Sequence, residues 1–311
     1  MTFNEGGEFE GGRVRKGGGG RRGAVVGGGI GAIVVALLAV FLGGGDLGQL
    51  TGALGGAVQD AGAPAGDGQD AGAPAGDGQE QYVEACTAEQ ANTDRECRLS
   101  ATVQSLDAYW ERVLPQQAGV EYALPSVESF SGSTTTGCGA ATSATGPFYC
   151  PPDQTVYVDV AFFDQLSSQF GAEGGPLAEE YVVAHEVGHH VEQLTGAMDA
   201  ADRRGSGPES DSVRIELMAD CLAGMWAGSA ATEVDPDSGV TFLDPVSSAE
   251  LRQALDAAAA VGDDRIQQRA TGQISPEGFT HGTSEQRVRW FTVGYEGGTL
   301  DDCDALAARA L

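Results

Sequence analysis

The stretch Tyr181-Val-Val-Ala-His185-Glu186-Val-Gly-His189-His190-Val191 holds the side-chain types and the spacing that metal chemistry needs. Residues four apart on a helix share a face, so His185 and His189 can aim two imidazoles at one metal ion. Glu186 is rotated by about 100° from His185, within reach of a water at that ion. Taken alone, the segment also reads as a helix with two core-edge histidines and a solvated glutamate.

The elements that must position these residues are legible nearby. Pro176 suits a first helical turn, and Leu177, Tyr181, Ala184, Gly188 and Val191 recur at helical spacing. Thr195-Gly196 supplies a stop, so a helix is expected over 176–195. Two imidazoles under-coordinate a zinc ion, which in catalytic sites takes a third protein ligand and keeps one position for water. A third histidine six residues on is lacking, because Glu192 and Thr195 stand where that pattern needs Gly and His. The inverted His-x-x-Glu-His is also absent. A second helical segment, Val213 to Gly224, carries Glu216 and Asp220 four apart among apolar neighbours. Carboxylates in that setting need partners. Glu216 is assigned as the third ligand. Asp220 is assigned to accept the free N–H of His185 or His189 and so fix its tautomer.

HEVGHH followed by ELMADCLAG resembles a bacterial family of membrane-anchored neutral zinc metallopeptidases. It is also similar to the wider gluzincin class, in which His-Glu-x-x-His is followed by Glu-x-x-x-Asp. The resemblance runs from about Cys138 to Tyr295 and includes the blocks around Cys150 and His281. It implies a zincin-like α+β domain, mostly helical with a small sheet, and a peptide or protein substrate. It also implies that the strand before the active helix borders the cleft and pairs with extended substrate; here that strand is Thr155 to Val160. The expected chemistry is hydrolysis by zinc on His185, His189 and Glu216, with Glu186 as general base. His281 is the one histidine outside the motif helix. By resemblance it could donate a hydrogen bond to the tetrahedral intermediate, and it otherwise reads as a surface-loop residue. Its place just ahead of a helix start should disfavour its charged form. Arg287 and Tyr157 are weaker candidates for the same role. His190 points off the shared face and reads as structural. Two other functions stay open: a membrane-tethered binding module with an inactive or structural metal site, and a zinc hydrolase acting on something other than peptides.

Of the 311 residues, 17 are Lys or Arg and 45 are Asp or Glu, for a net charge of −28. That surface argues against nucleic acid as a partner. Six cysteines, none in a Cys-x-x-Cys, fit three disulfides. Of the fifteen connectivities, Cys86–Cys97, Cys138–Cys150 and Cys221–Cys303 is preferred, with a free Cys221 thiol near the metal as the competing idea. Oligomeric state is not legible.

In chain order, residues 1–23 are Gly-rich with five basic side chains and are expected to form a disordered cytoplasmic tail. Residues 24–42 are nineteen in a row without a charge, long enough at about 1.5 Å each for the roughly 30 Å hydrocarbon layer. The charge bias predicts a single-pass transmembrane helix with the N-terminus cytoplasmic and the catalytic domain outside. A cleaved signal peptide is the other reading. Residues 43–80 read as a flexible linker with two copies of DAGAPAGDGQ. Residues 81–311 form the expected metallopeptidase domain. Within it, 81–117 reads as helical, 118–153 as loop, 161–170 as a short helix, 197–212 as a polar crossover and 247–270 as one helix. A last helix is expected from Thr283 to about Gly294.

Overall fold

The computed structural model describes residues 2–17, 80–236 and 238–311. Its strands are β1 (Glu8–Phe9), β2 (Arg15–Lys16), β3 (Gln81–Tyr82), β4 (Cys86–Thr87), β5 (Ser126–Ser129), β6 (Ser133–Thr136), β7 (Gly139–Thr142), β8 (Phe148–Cys150) and β9 (Thr155–Val158). Its helices are α1 (Ala88–Thr93), α2 (Arg95–Ala118), α3 (Phe162–Ser168), α4 (Pro176–Thr195), α5 (Ala197–Ala200), α6 (Asp211–Ser229), α7 (Ser248–Ala260), α8 (Asp263–Thr271) and α9 (Ser284–Tyr295). This is an α+β architecture.

Local chemistry explains the helix ends. Pro176 occupies the first turn of α4, where its missing N–H leaves no bond unmade, and Gly196 closes the helix at φ 82°. The Ser210 hydroxyl accepts from the Val213 N–H to start α6. Ser247/Glu250 and Thr283/Gln286 form reciprocal capping boxes at α7 and α9. The single helix expected over 247–270 is two, α7 and α8, parted at Val261-Gly262. Gly262 passes so close to α9 that a Cβ there would lie 2.5 Å from the Ser284 nitrogen.

The main sheet has the order β3-β2-β5-β9-β8, with β2, β5 and β9 parallel and the outer pairs antiparallel. Two expectations change here. The segment 118–153, read as loop, contributes β5, β8 and the β6–β7 hairpin. These strands run three or four residues, too short to show a period, and β5 and β6 are also rich in Ser and Thr. Second, β9 is flanked by β5 and β8, so its backbone is already paired on both sides. The edge strand next to it is β8, so the strand expected to border the cleft has no free edge.

The core that positions the site is a contact of α4, α6 and α9. A Cβ on Gly224 would lie 2.1 Å from the Phe291 carbonyl oxygen, and one on Gly294 would lie 1.9 Å from that of Cys221. Only glycine lets α6 and α9 touch backbone to backbone at these positions. Trp226, fully buried, donates to the Ser105 hydroxyl at 3.1 Å and ties α6 to α2. The disulfides are Cys86–Cys97, Cys138–Cys150 and Cys221–Cys303, the preferred pairing, so the free-thiol idea for Cys221 falls.

The N-terminal expectation needs correction. Residues 2–17 are not a disordered tail: Phe3, Phe9 and Val14 are buried, and β2 lies inside the main sheet between β3 and β5. Arg13 pairs with Asp107 at 2.6 Å, Arg15 with Glu128, and Lys16 with Glu96. This segment and residues 81–311 belong to one compact unit. The transmembrane helix and the single-pass membrane localisation are corrected with it. Among the described residues no helix is long and apolar enough to cross a membrane. A span between β2 and β3 would also set on opposite faces two strands that are hydrogen-bonded neighbours. The stretch 24–42 itself, and the linker expected over 43–80 up to residue 79, lie outside the described residues.

Candidate metal centre

α4 presents His185 and His189 on one face, with ring centroids 4.8 Å apart. α6 brings Glu216 against both: its carboxylate oxygens lie 3.3 Å from His185 Nε2 and 3.6 Å from His189 Nε2. One ligand atom from each of the three lies within 4.8 Å of the others. In a tetrahedral zinc site with bonds of about 2.0–2.1 Å, neighbouring donors stand about 3.4 Å apart. The 3.3 and 3.6 Å separations straddle that figure, and two imidazoles plus one carboxylate are a zinc-type donor set that leaves a position open. The residues therefore fit the ion.

Behind the donors, each ring is held through its other nitrogen. His185 Nδ1 lies 2.9 Å from Asp220 Oδ1, and His189 Nδ1 lies 2.8 Å from Glu192 Oε2. Both Nδ1 atoms donate to these carboxylates, which turns both Nε2 atoms toward Glu216. Asp220 also accepts from Tyr181 Oη at 2.6 Å and from Arg287 Nη2 at 2.9 Å. Arg287 Nε sits 2.9 Å from its second oxygen.

Charge follows the same contacts. Burial opposes a proton on His185, but Asp220 and Glu216 prevail and raise its pKa from 6.5 to about 10. Burial is likewise outweighed at His189, where Glu192 and Glu216 raise the value. Burial favours a neutral Glu216, yet His281, His189 and His185 hold it well below the usual carboxylate range. Asp220, against its burial, is held low by Arg287 and His185.

The three donors, Glu186, His281 and Arg287 line one cleft of about 570 Å³. His281 reaches it from the loop before α9. The buried Asp263 carboxylate accepts the backbone N–H groups of Thr280, His281 and Gly282 at 2.7, 2.7 and 3.0 Å and faces His281 Nδ1 at 3.3 Å. Burial disfavours the charged His281, but Glu216 and Asp263 raise its pKa. The expected suppression by the helix start is outweighed by these two carboxylates.

The other sequence candidates take different places. Arg287 grips Asp220, and its Nη1 lies 3.9 Å from Glu216. Tyr157 donates to Asp153 at 2.9 Å and stacks on Phe148, outside the cleft lining. His190 is buried between Tyr149 Oη and the Ala123 carbonyl oxygen, at 2.9 and 2.6 Å. Sequence reasoning missed Glu192 and Asp263. Glu192 stands three residues after His189 on the same helix, a spacing that could have found it. Asp263 is eighteen residues from His281 with no local pattern to link them.

Helix-borne His-Glu-x-x-His with a distant carboxylate defines a class of metal-dependent hydrolytic proteins. Residues 5–306 match the family described as "putative neutral zinc metallopeptidase", and the chain belongs to that family. It is 50% identical over 225 residues to uncharacterized proteins of Mycobacterium bovis and Mycobacterium tuberculosis, covering 72% of this chain and 75% of theirs. It is 42% identical over 194 residues to the uncharacterized protein YpfJ of Escherichia coli, covering 61% of this chain and 64% of that one. No solved structure matches the chain.

Proposed function

We propose that the protein is a zinc-dependent endopeptidase that hydrolyses peptide bonds in the cleft between α4 and α6. The observation that carries this reading is the meeting of His185, His189 and Glu216 within 4.8 Å, beside Glu186 in the same cleft. His185 and His189 would hold the ion through Nε2 and Glu216 through its carboxylate. Bound there, zinc would supply Lewis acidity and would bring the pKa of water near 7.

Glu186 takes a proton from the attacking water and hands it to the leaving amine. His281, its Nδ1 facing Asp263, donates from Nε2 to the carbonyl oxygen as negative charge develops on it. β8 ends the sheet order and its residues Phe148 and Tyr149 line the cleft, so its outer edge pairs with an extended substrate backbone. Glu186→Gln is expected to keep one equivalent of zinc and to lose about a hundredfold or more in peptide cleavage. Wild-type cleavage by that variant would remove Glu186 from the role of base.

A further inference from the structure

The crossover between α5 and α6 brings a cation to the cleft that holds the donors. Arg203 lines that cleft together with His185, His189 and Glu216, and its side chain is exposed. Among the described residues its guanidinium meets no carboxylate and one acceptor, Met198 Sδ at 4.0 Å, which is a weak one. The arginines around it are committed: Arg204 to Asp202 at 2.9 Å, Arg214 to Glu209 at 3.2 Å and Arg287 to Asp220 at 2.9 Å. With 45 acidic residues against 17 basic ones, a cation left without an acid is not what chance pairing favours.

The segment that carries Arg203 is held in place. The Ser212 hydroxyl on α6 donates to the Gly205 carbonyl at 2.7 Å and lies 3.1 Å from that of Arg203. Asp211 accepts the Asp202 N–H at 2.9 Å. Further on, the Gly207 N–H donates to the Phe279 carbonyl at 2.7 Å, two residues before His281. Ser212 and Glu216 are four apart on α6, so Arg203 is rooted one helical turn, about 5.4 Å along the axis, from a metal donor.

On the reading of the site as a peptidase, we infer that Arg203 is a specificity residue that takes a carboxylate of the substrate, an acidic side chain or the substrate's own C-terminus, close to the bond to be cut. The planar guanidinium offers paired N–H donors that match the two oxygens of a carboxylate. An extended chain advances about 3.3 Å per residue, so a carboxylate one or two residues from the metal spans one turn of α6. The net charge of −28 repels an acidic substrate at long range. In physiological salt that repulsion is screened beyond about 8 Å, and contact with Arg203 decides the binding. Glu216 in the same cleft faces His185 and His189 at 3.3 and 3.6 Å, so its charge is matched within the site.

Calorimetric titration of the zinc-loaded full chain reads this contact without turnover. Acetohydroxamic acid probes the metal alone. The monohydroxamates of succinic, glutaric and adipic acid add a carboxylate at growing reach, and their methyl esters add the same chain without the charge. At the best length the acid is expected to bind about fivefold more tightly than its ester. Arg203→Gln should erase that advantage, Arg203→Lys should keep part of it, and acetohydroxamate binding should be unchanged in both. Acids no tighter than their esters at every length, or an advantage that survives Arg203→Gln, overturn the role of Arg203 and leave the metal reading intact. Failure of every compound to bind overturns the metal site and the role of Arg203 together. Cleavage of three matched peptides then tells the two carboxylate sources apart: blocked ends with Glu near the scissile bond, Gln with a free C-terminus, and Gln with a C-terminal amide. A lower KM for the first assigns the side chain, a lower KM for the second assigns the C-terminus, and three equal values overturn the proposal. No cleavage of any peptide, with the hydroxamate pattern intact, removes the peptidase reading and keeps Arg203 as a carboxylate anchor.

Discussion

Asp220 has no exposed surface, and its carboxylate lies within 2.9 Å of His185 Nδ1 and of two nitrogens of Arg287. A buried charge so surrounded does two things: it fixes which nitrogen of His185 is available to a metal, and it holds a proton on that ring while no metal is present. With the His185 pKa raised to about 10, the ring is protonated at pH 7 in the metal-free protein. A metal ligand must be neutral, so zinc uptake at pH 7 expels that proton, and zinc affinity climbs as pH rises toward 10. Titrations in two buffers of different ionisation enthalpy should therefore give different heats. Asp220→Asn should weaken zinc binding by about 10–100-fold and reduce the proton release. Buffer-independent heats and unchanged affinity in the variant would show that Asp220 has no such hold on His185. His185, Glu186 and His189 were legible because one helix sets their spacing. Glu216 and Asp220 were legible because acids four apart among apolar neighbours demand partners. Asp263 was not, because its bond to the His281 loop exists only once α8 and α9 are packed.

At the scale of elements, the helices were more legible than the strands. α4 was expected at its observed bounds because proline, an apolar face and a glycine stop all agree within twenty residues. β2 is two residues long and lies in a Gly-rich, basic stretch that local pattern assigns to disorder. Its order comes from distant partners: β5 and β3, the acids Asp107, Glu128 and Glu96, and the pockets that take Phe3 and Phe9. Burial of Phe3, Phe9 and Val14 contributes about 4.5–9 kcal/mol at about 1.5–3 kcal/mol each, comparable to the whole stability of a typical domain. A chain starting at residue 80 is therefore expected to unfold at a much lower temperature than the full chain, or to aggregate, and Phe3→Ser with Phe9→Ser should do the same in part. Identical melting curves for the truncated and full chains would deny the N-terminal segment any part in the fold.

Across the whole molecule, three disulfides close loops of very different length. Cys221–Cys303 spans 82 residues, while the other two span 11 and 12. Chain-entropy bookkeeping gives about 4.5 kcal/mol for the long loop and about 3 kcal/mol for each short one. Replacing both cysteines of one pair by serine should lower stability most for Cys221–Cys303, read by denaturant unfolding; a smaller loss there than at either short loop would contradict that ranking. The pairing was legible because two loops are short and one pair remains. The union of residues 2–17 with 81–311 was not legible, because the intervening composition reads as a separator and nothing local announces the contact.

The proposed chemistry requires α4 and α6 to offer three donors to one ion. Anomalous diffraction at the zinc edge, from crystals of the full chain grown with zinc, tests this most directly. One strong peak is expected about 2.0–2.2 Å from His185 Nε2, His189 Nε2 and a Glu216 oxygen. A peak that leaves Glu216 out, or no peak between the two helices, would contradict it.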